Sequence, residues 1–453
     1  MTRGGPSLLL INPWVYDFAA YDFFAAPLGL LYLAGLLKAQ GYAVQLLDCL
    51  GVPHARPGPF GTGRYPKGIL PTPAPFQGIP RRYGRYGISE AAFRSALSRT
   101  PRPAAVLVTS LMTYWYPGVA AAIRLTRQAF PGVPVILGGI YATLCPEHAR
   151  RESGADLVVT GPGEEQILAH LSSLGLSPQG AMPPPPNPLP PGEGEMGQEL
   201  NFDSLPYPAL HLLPRLTYLP LLTSRGCPFK CAYCASHLLQ PRYRRRSPLA
   251  MAEEVSHWQE RLGLKDVAFY DDALLLDAES HLLPILEELA RRGRNFRFHT
   301  PNGLHARAVT REVAGWLKRA QFATLRLGVE TTALGTARLD GKLEEGELEE
   351  VLAHLREAGF RQEEMGVYLL MGLPHQEEGE VVASIRRVKE LGATPILAQY
   401  SPIPGTALWP EAVKCSRYDL EADPLFHNNS LFPCWPEFSW DRYIRLKRLA
   451  GKE

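Results

Sequence analysis

The sequence has little that would hold it in a membrane, staple it with disulfides or fix it to a polyanion. It opens MTRGGPSLLLINPW, an apolar run too short for a bilayer span, followed by Pro13 and aromatics rather than a small-residue cleavage site. That run reads as a buried strand, and no membrane partner is expected. Lys and Arg number 47 against 45 Asp and Glu, a net charge of +2. The basic residues are scattered except at 242–246, so no nucleic-acid stripe is present. Seven cysteines is an odd number, and three of them crowd into one short stretch. This suits metal binding in a reducing compartment, the cytoplasm, better than a disulfide framework. With 453 residues and 45% hydrophobic content, the chain can build about three domain-sized cores.

Segment 7–13 reads as a strand, 28–40 has helical periodicity ending at Gly41, and 43–48 is a second strand. The Pro/Gly/aromatic stretch 51–88 resists regular structure and predicts a long excursion. Order resumes with a strand at 104–110, a helix at 119–129 and strands at 133–137 and 157–160. Continuous apolar strands alternating with helices predict a doubly wound parallel sheet over 1–176, with its ligand beyond the carboxyl ends of the strands. Residues 177–200 form a Pro-rich linker. A second unit, 201–410, repeats the alternation with strands at 219–224, 267–270, 296–299, 324–329, 366–370 and 396–400. Six βα repeats are too few for a closed eight-stranded barrel, so a partial barrel is expected, followed by a short extension at 411–453.

The stretch TSRGCPFKCAYCASH sets Cys227, Cys231 and Cys234 in a C-x3-C-x2-C pattern directly after the first strand of the second unit. Three thiolates on a 4Fe-4S cluster leave one iron open. A methionine-derived ligand can chelate that iron through its amino and carboxylate groups and bring its sulfonium beside the cluster. A Cys3His zinc site using His237 is the competing reading.

On this signature, with FYDD (269–272), NGLH (302–305), LGVET (327–331), MGLP (371–374) and SPIPGT (401–406) in order at strand ends, the chain resembles cobalamin-binding-domain-containing radical S-adenosylmethionine proteins. The resemblance implies that Cys227, Cys231 and Cys234 carry the cluster and initiate catalysis. It further implies that Tyr233 contacts adenine through its backbone and that Asp272 faces the methionine ammonium, while Asn302, Arg326 and Glu330 line the ribose and carboxylate end. A helix cap or loop solvation is the bland alternative for the polar ones.

For cobalamin, the same resemblance points to Ser110, Leu111 and Met112 after a middle strand and to Gly138 and Gly139 after the next, where small residues admit the corrin. Gly161, Gly163 and Glu164 of GPGEE match the segment that closes such domains, although a turn before a helix reads the same way. The D-x-H-x-x-G that supplies an axial histidine is missing, and His54 and His148 stand in other contexts. Cobalamin is therefore expected without a protein histidine on cobalt, with the aromatic loop 12–27 over that face. Cys415 and Cys434 are too few for a second cluster, which needs about four thiolates, and Cys49 and Cys145 read as small hydrophobes or as neighbours of the ligand.

The implied activity is reductive cleavage of S-adenosylmethionine to a 5′-deoxyadenosyl radical and methylation of an unactivated carbon of a small-molecule or peptide substrate. An electron donor such as flavodoxin or ferredoxin would serve it. A cobalamin-dependent rearrangement, cyclisation or redox step, and a non-catalytic cobalamin or metal-binding module, are the alternatives. Arg81, Arg82, Tyr83, Arg85 and Tyr86, and the tail 426–440, read either as substrate walls or as domain packing. The basic run 242–246 reads as an anion grip or a solvated face.

Overall fold

The computed structural model describes residues 5–178, 202–332, 343–344, 346–435 and 437–451. Of the Pro-rich linker, residues 179–200 lie outside them. The chain divides into two compact units, 1–216 and 217–453.

The first unit is built on β1 (Ser7–Asn12), β2 (Ala43–Asp48), β3 (Ala105–Val108), β4 (Val135–Leu137) and β5 (Leu157–Val158). They form one parallel sheet in the order β2-β1-β3-β4-β5. Because side chains alternate along a strand, the apolar run of β1 feeds two cores. Leu8 and Leu10 pack with Leu30, Leu37 and Leu107 on one face, while Leu9 and Ile11 pack with Phe93, Val106 and Ile123 on the other. The strand order reverses between β1 and β3, which opens a crevice beyond their carboxyl ends. Residues 202–216 belong to this unit. Ala209 donates its backbone N–H to Leu31 O at 2.9 Å, and Gly35 has no Cβ, which would stand 2.3 Å from Tyr207 O.

The excursion 51–88 is more regular than its composition predicts. Gly84–Tyr86 pairs antiparallel with both Val15–Asp17 and Lys67–Ile69, and Gly63–Arg64 pairs antiparallel with both Tyr21–Asp22 and Arg56–Pro57. These ribbons join segments far apart in sequence, and Pro57 sits on an edge strand, where its missing N–H costs no ladder bond. Phe18, Phe76 and Tyr83 form their centre, with ring centroids 5.2 to 5.5 Å apart.

The second unit holds β6 (Leu219–Leu221), β7 (Asp266–Phe269), β8 (Arg297–His299), β9 (Phe322–Glu330), β10 (Met365–Met371) and β11 (Thr394–Gln399) in one parallel sheet in sequential order. A short strand, Leu304–His305, also pairs with β9. The connections carry helices Pro248–Leu262, Leu282–Arg291, Arg311–Arg319, Glu347–Glu357 and Glu378–Glu390. Their starts are locally encoded. Ser247 and Thr310 accept from the backbone N–H of Ala250 and Val313, and Pro248 occupies the first helical position. The βα repeat is the expected partial barrel, with β6 and β11 at its edges among the described residues.

Candidate functional site

In the second unit the chain leaves β6 and turns through Thr223, Ser224, Arg225 and Gly226 into Cys227. A buried carboxylate, Asp271, follows β7 and pins this turn. It accepts hydrogen bonds from the backbone N–H of Thr223 (3.1 Å) and Ser224 (2.6 Å) and from their hydroxyls (2.6 and 2.7 Å). Burial pushes the Asp271 carboxyl up to about 6 against these bonds, which favour the charged form. His281 Nε2 lies 2.9 Å from Thr223 Oγ1. Ser224–Arg225 pairs antiparallel with Arg244–Arg245. The basic run is therefore partly internal. Arg246 forms a fully buried ion pair with Glu254, and Arg245 reaches Asp277 at 3.5 Å.

Gly226 takes φ +79°, and a Cβ there would stand 2.6 Å from Arg242 O and 2.9 Å from Gln240 O. Only glycine fits this entry to the cysteine loop. Cys227, Cys231 and Cys234 are not disulfide-bonded, and Cys231 is buried and the others half-buried. Cys234 donates its N–H to Cys231 O at 3.0 Å, and the Ser236 N–H donates to Cys234 Sγ at 3.5 Å. Ser236 Oγ lies 3.3 Å from the same sulfur and hydrogen-bonds Asp272. Burial raises the Asp272 carboxyl and the Ser236 bond opposes this. Cys227 Sγ lies 3.8 Å from His305 Nε2, whose ring stacks on Phe229 with centroids 4.2 Å apart.

Among the described residues no three His, Cys, Asp or Glu side chains converge as ligands of one ion, so the Cys3His arrangement with His237 is not assembled. A cubane takes each thiolate to a different iron, and three separate cysteines on one loop, with an N–H donated to the sulfur of Cys234, fit that demand.

The strand ends beside the loop carry the other expected groups. Asn302 Nδ2 donates to Tyr270 O (2.9 Å) and Asp271 O (3.2 Å), tying the end of β8 to that of β7. Arg326 lies against Gly366, whose Cβ would meet its guanidinium at 2.8 Å, and hydrogen-bonds Tyr368. The Tyr368 hydroxyl donates to Pro301 O at 3.0 Å and feels the charge of Glu330. Glu330 has φ +67° beside a register shift against β10. A non-glycine residue held there at a strand end is the kind of strain that accumulates at working sites. Tyr233 packs with Tyr400, Leu408 and Cys434 of the C-terminal segment, and Leu408 N–H donates to Ala232 O at 2.8 Å.

In the first unit Ser110 follows β3, and its hydroxyl donates to Gly138 O at 2.6 Å. Gly139 has φ +94°, and a Cβ would strike Ser110 O at 2.4 Å, so its glycine character serves the contact between the two loops. At Gly138 a Cβ would meet only Val159 O, at 3.9 Å. This leaves bare backbone of the kind a corrin ring can approach. Leu111 and Met112 continue half-buried from Ser110. Gly161 N–H donates to Thr143 Oγ1 at 3.0 Å, Gly163 sits beside Leu33, and Glu164 is buried. These groups occupy the carboxyl ends of β3, β4 and β5, so the donor set fits a large apolar ring flanked by small residues.

His54 Nε2 lies 3.2 Å from Asp22 and His148 Nδ1 lies 2.7 Å from the Tyr141 hydroxyl. Cys49 is fully buried in the core, and burial pushes the Cys145 thiol up to about 12. Cys415 and Cys434 hydrogen-bond each other, and both sulfurs approach Ala412 O. The tail segment packs internally, Phe432 stacking on Phe438 at 4.2 Å. Sequence reasoning missed Asp271, Thr223 and His305 as organisers of the cysteine loop. Their available signal was position at strand ends, within FYDD for Asp271, NGLH for His305 and the start of TSRGC for Thr223.

Residues 221–388 match the Radical SAM superfamily and residues 86–171 match the B12 binding domain. The uncharacterized methyltransferase PH0819 of Pyrococcus horikoshii is 27% identical over 337 residues, 69% of this chain and 70% of that protein. The cytidylyl-2-hydroxyethylphosphonate methyltransferase of Streptomyces wedmorensis is 23% identical over 61% of this chain and 57% of its own. The fold is shared with the radical S-adenosylmethionine methyltransferase TsrM of Kitasatospora setae, solved with cobalamin and a 4Fe-4S cluster bound. Its TM-score is 0.66 at 16% identity, covering 99% of this chain and 89% of that one. The chain thus carries a B12-binding domain followed by a radical SAM domain, and its cofactors are a 4Fe-4S cluster, S-adenosylmethionine and cobalamin.

Proposed function

We propose that the protein is a cobalamin-dependent radical S-adenosylmethionine methyltransferase acting on an unactivated carbon of a small-molecule substrate, in the cytoplasm, with a flavodoxin or ferredoxin as electron donor. The observation that carries this reading is the C-x3-C-x2-C loop, pinned at the end of β6 by Asp271, with further polar groups at the following strand ends. When bound, the cluster supplies the electron that splits S-adenosylmethionine into methionine and a 5′-deoxyadenosyl radical, and cobalamin supplies the methyl group.

In this reading the chain's own residues position and shield. Cys227, Cys231 and Cys234 hold three irons as thiolates. Asp272, oriented by Ser236, presents its carboxylate to the methionine ammonium, and Tyr233 offers backbone groups to adenine. Asn302, Arg326 and Glu330 take the ribose and carboxylate end, with Tyr368 hydrogen-bonded to Arg326 and close enough to Glu330 to feel its charge. In the first unit Ser110, Leu111, Met112, Gly138, Gly139, Gly161, Gly163 and Glu164 form the corrin cradle. The small-molecule substrate class is supported by the tryptophan bound in the structure of TsrM and by the phosphonate named for the Streptomyces relative. Among the described residues no helix is long and apolar enough to cross a membrane.

Anaerobic reconstitution with iron, sulfide, hydroxocobalamin and S-adenosylmethionine tests the proposal. Methylation of the true substrate yields S-adenosylhomocysteine together with 5′-deoxyadenosine, and Cys231→Ala abolishes the second nucleoside. If only 5′-deoxyadenosine forms with the true substrate, methylation is excluded. If cleavage survives Cys231→Ala, the cluster assignment fails.

A further inference from the structure

The excursion 51–88 carries six Lys or Arg residues and no Asp or Glu, in a chain that is otherwise close to neutral. It leaves β2 and folds against the segment leaving β1, so both rise from the carboxyl end of the first sheet, where a doubly wound fold takes its ligand. In the smaller ribbon Arg64 is in register with Tyr21 on one side and Arg56 on the other. Register partners in antiparallel strands point to the same face, so Tyr21, Arg64 and Arg56 form one row, and like charges opposed in this way destabilise a sheet. Tyr21 stacks on Phe23 with centroids 5.1 Å apart, and the two rings are 44% and 64% exposed.

The neighbouring ribbon adds Lys67, which donates to Phe18 O at 3.0 Å and to Arg82 O. Its ammonium is held below the usual lysine range by burial first and then by Arg64, with Asp17 opposing and Arg82 and Arg81 adding to the shift, so these cations share one neighbourhood with a single carboxylate named against them. The nearby carboxylates also take other donors. Asp17 accepts from Phe18 N–H and Trp115 Nε1, each at 2.7 Å, and Asp22 accepts from Ala25 N–H at 2.9 Å and faces His54. Among the described residues no carboxylate forms an ion pair with Arg56, Arg64, Lys67 or Arg82.

We propose that the Arg56–Arg64 row, with Lys67 and Arg82, is an oxyanion-binding site that takes the carboxylate or phosphoryl group of the substrate, while Tyr21 and Phe23 flank an apolar part of the same molecule. Arg64, whose guanidinium hydrogen-bonds the Tyr86 hydroxyl, and Arg56, its register partner, then offer a fork for one anion. This inference rests on the methyltransferase reading for the identity of its ligand as substrate.

The test is calorimetric titration of the full-length protein, loaded with cluster and cobalamin, with inorganic phosphate and separately with acetate, at constant ionic strength. The expected result is saturable binding of one or both anions that Arg64→Gln weakens about tenfold or more and that Arg386→Gln, on an exposed helix face of the second unit, leaves unchanged. Arg56→Glu removes the opposed like charges, so it abolishes anion binding while the thermal midpoint holds or rises, which separates loss of the site from loss of the fold. Absence of anion binding by the wild type, or equal binding by Arg64→Gln, overturns the proposal. Retention of cobalamin and of cobinamide, which lacks the nucleotide phosphodiester, is measured alongside. If Arg64→Gln loses cobalamin but keeps cobinamide, the anion is the cofactor's own phosphodiester and the substrate assignment is overturned. None of these readouts depends on the nucleoside products that test methylation, so the two readings fail separately.

Discussion

Asp271 shows how one buried side chain organises a reactive loop. Four donors from Thr223 and Ser224 converge on its carboxyl, yet burial raises it from 3.8 to about 6. A carboxyl with a raised folded value holds its proton longer in the folded state than in the unfolded one. Its contribution is therefore full below about 4 and is lost as pH rises through about 6, at most about 3 kcal/mol over the interval. Asp271→Asn is expected to flatten the fall in stability between about pH 4 and 6. It also turns an amide N–H₂ toward existing donors, which costs about 1–3 kcal/mol. Urea unfolding midpoints across this range check both effects, and an unchanged slope would refute the titration of this group. FYDD displays both aspartates in the sequence, but only the packed structure shows that the first faces the β6 turn and the second faces Ser236.

At the level of elements, the cysteine loop depends on a short ribbon, Ser224–Arg225 against Arg244–Arg245, closed by Gly226. Gly226→Ala meets two fixed backbone carbonyls as well as the left-handed penalty of about 1–2 kcal/mol. Gly263→Ala, at φ +65° with nothing within 4 Å, meets the penalty alone. The first variant should lose at least about 1 kcal/mol more than the second and bind less iron on reconstitution, and equal losses would show that the ribbon can shift to accommodate a methyl group. The ribbons of the excursion 51–88 make the complementary point. Strands of two or three residues carry no periodicity, and their partners lie dozens of residues away, as Val15 with Tyr86. Local composition therefore reads them as irregular.

For the whole molecule, cofactor binding and folding are linked. Cobalamin at about 100 times its dissociation constant should add about 2.7 kcal/mol to unfolding of the unit that binds it. Chemical unfolding with and without hydroxocobalamin checks this, and an unmoved midpoint would count against the cradle at Ser110 and Gly138. The sequence alone determined the alternation of strands and helices, because apolar runs bounded by turn residues are local signals. It also determined the cysteine spacing, because a cluster loop is contiguous in the chain. The tertiary structure alone decided that Asp271 anchors the loop, that Arg246 is internal and paired with Glu254, and that Arg56 and Arg64 stand opposed on neighbouring strands. Asp271 is 48 residues from Thr223, and although the other two pairs are eight residues apart, their burial or strand pairing is set by packing that no local pattern encodes.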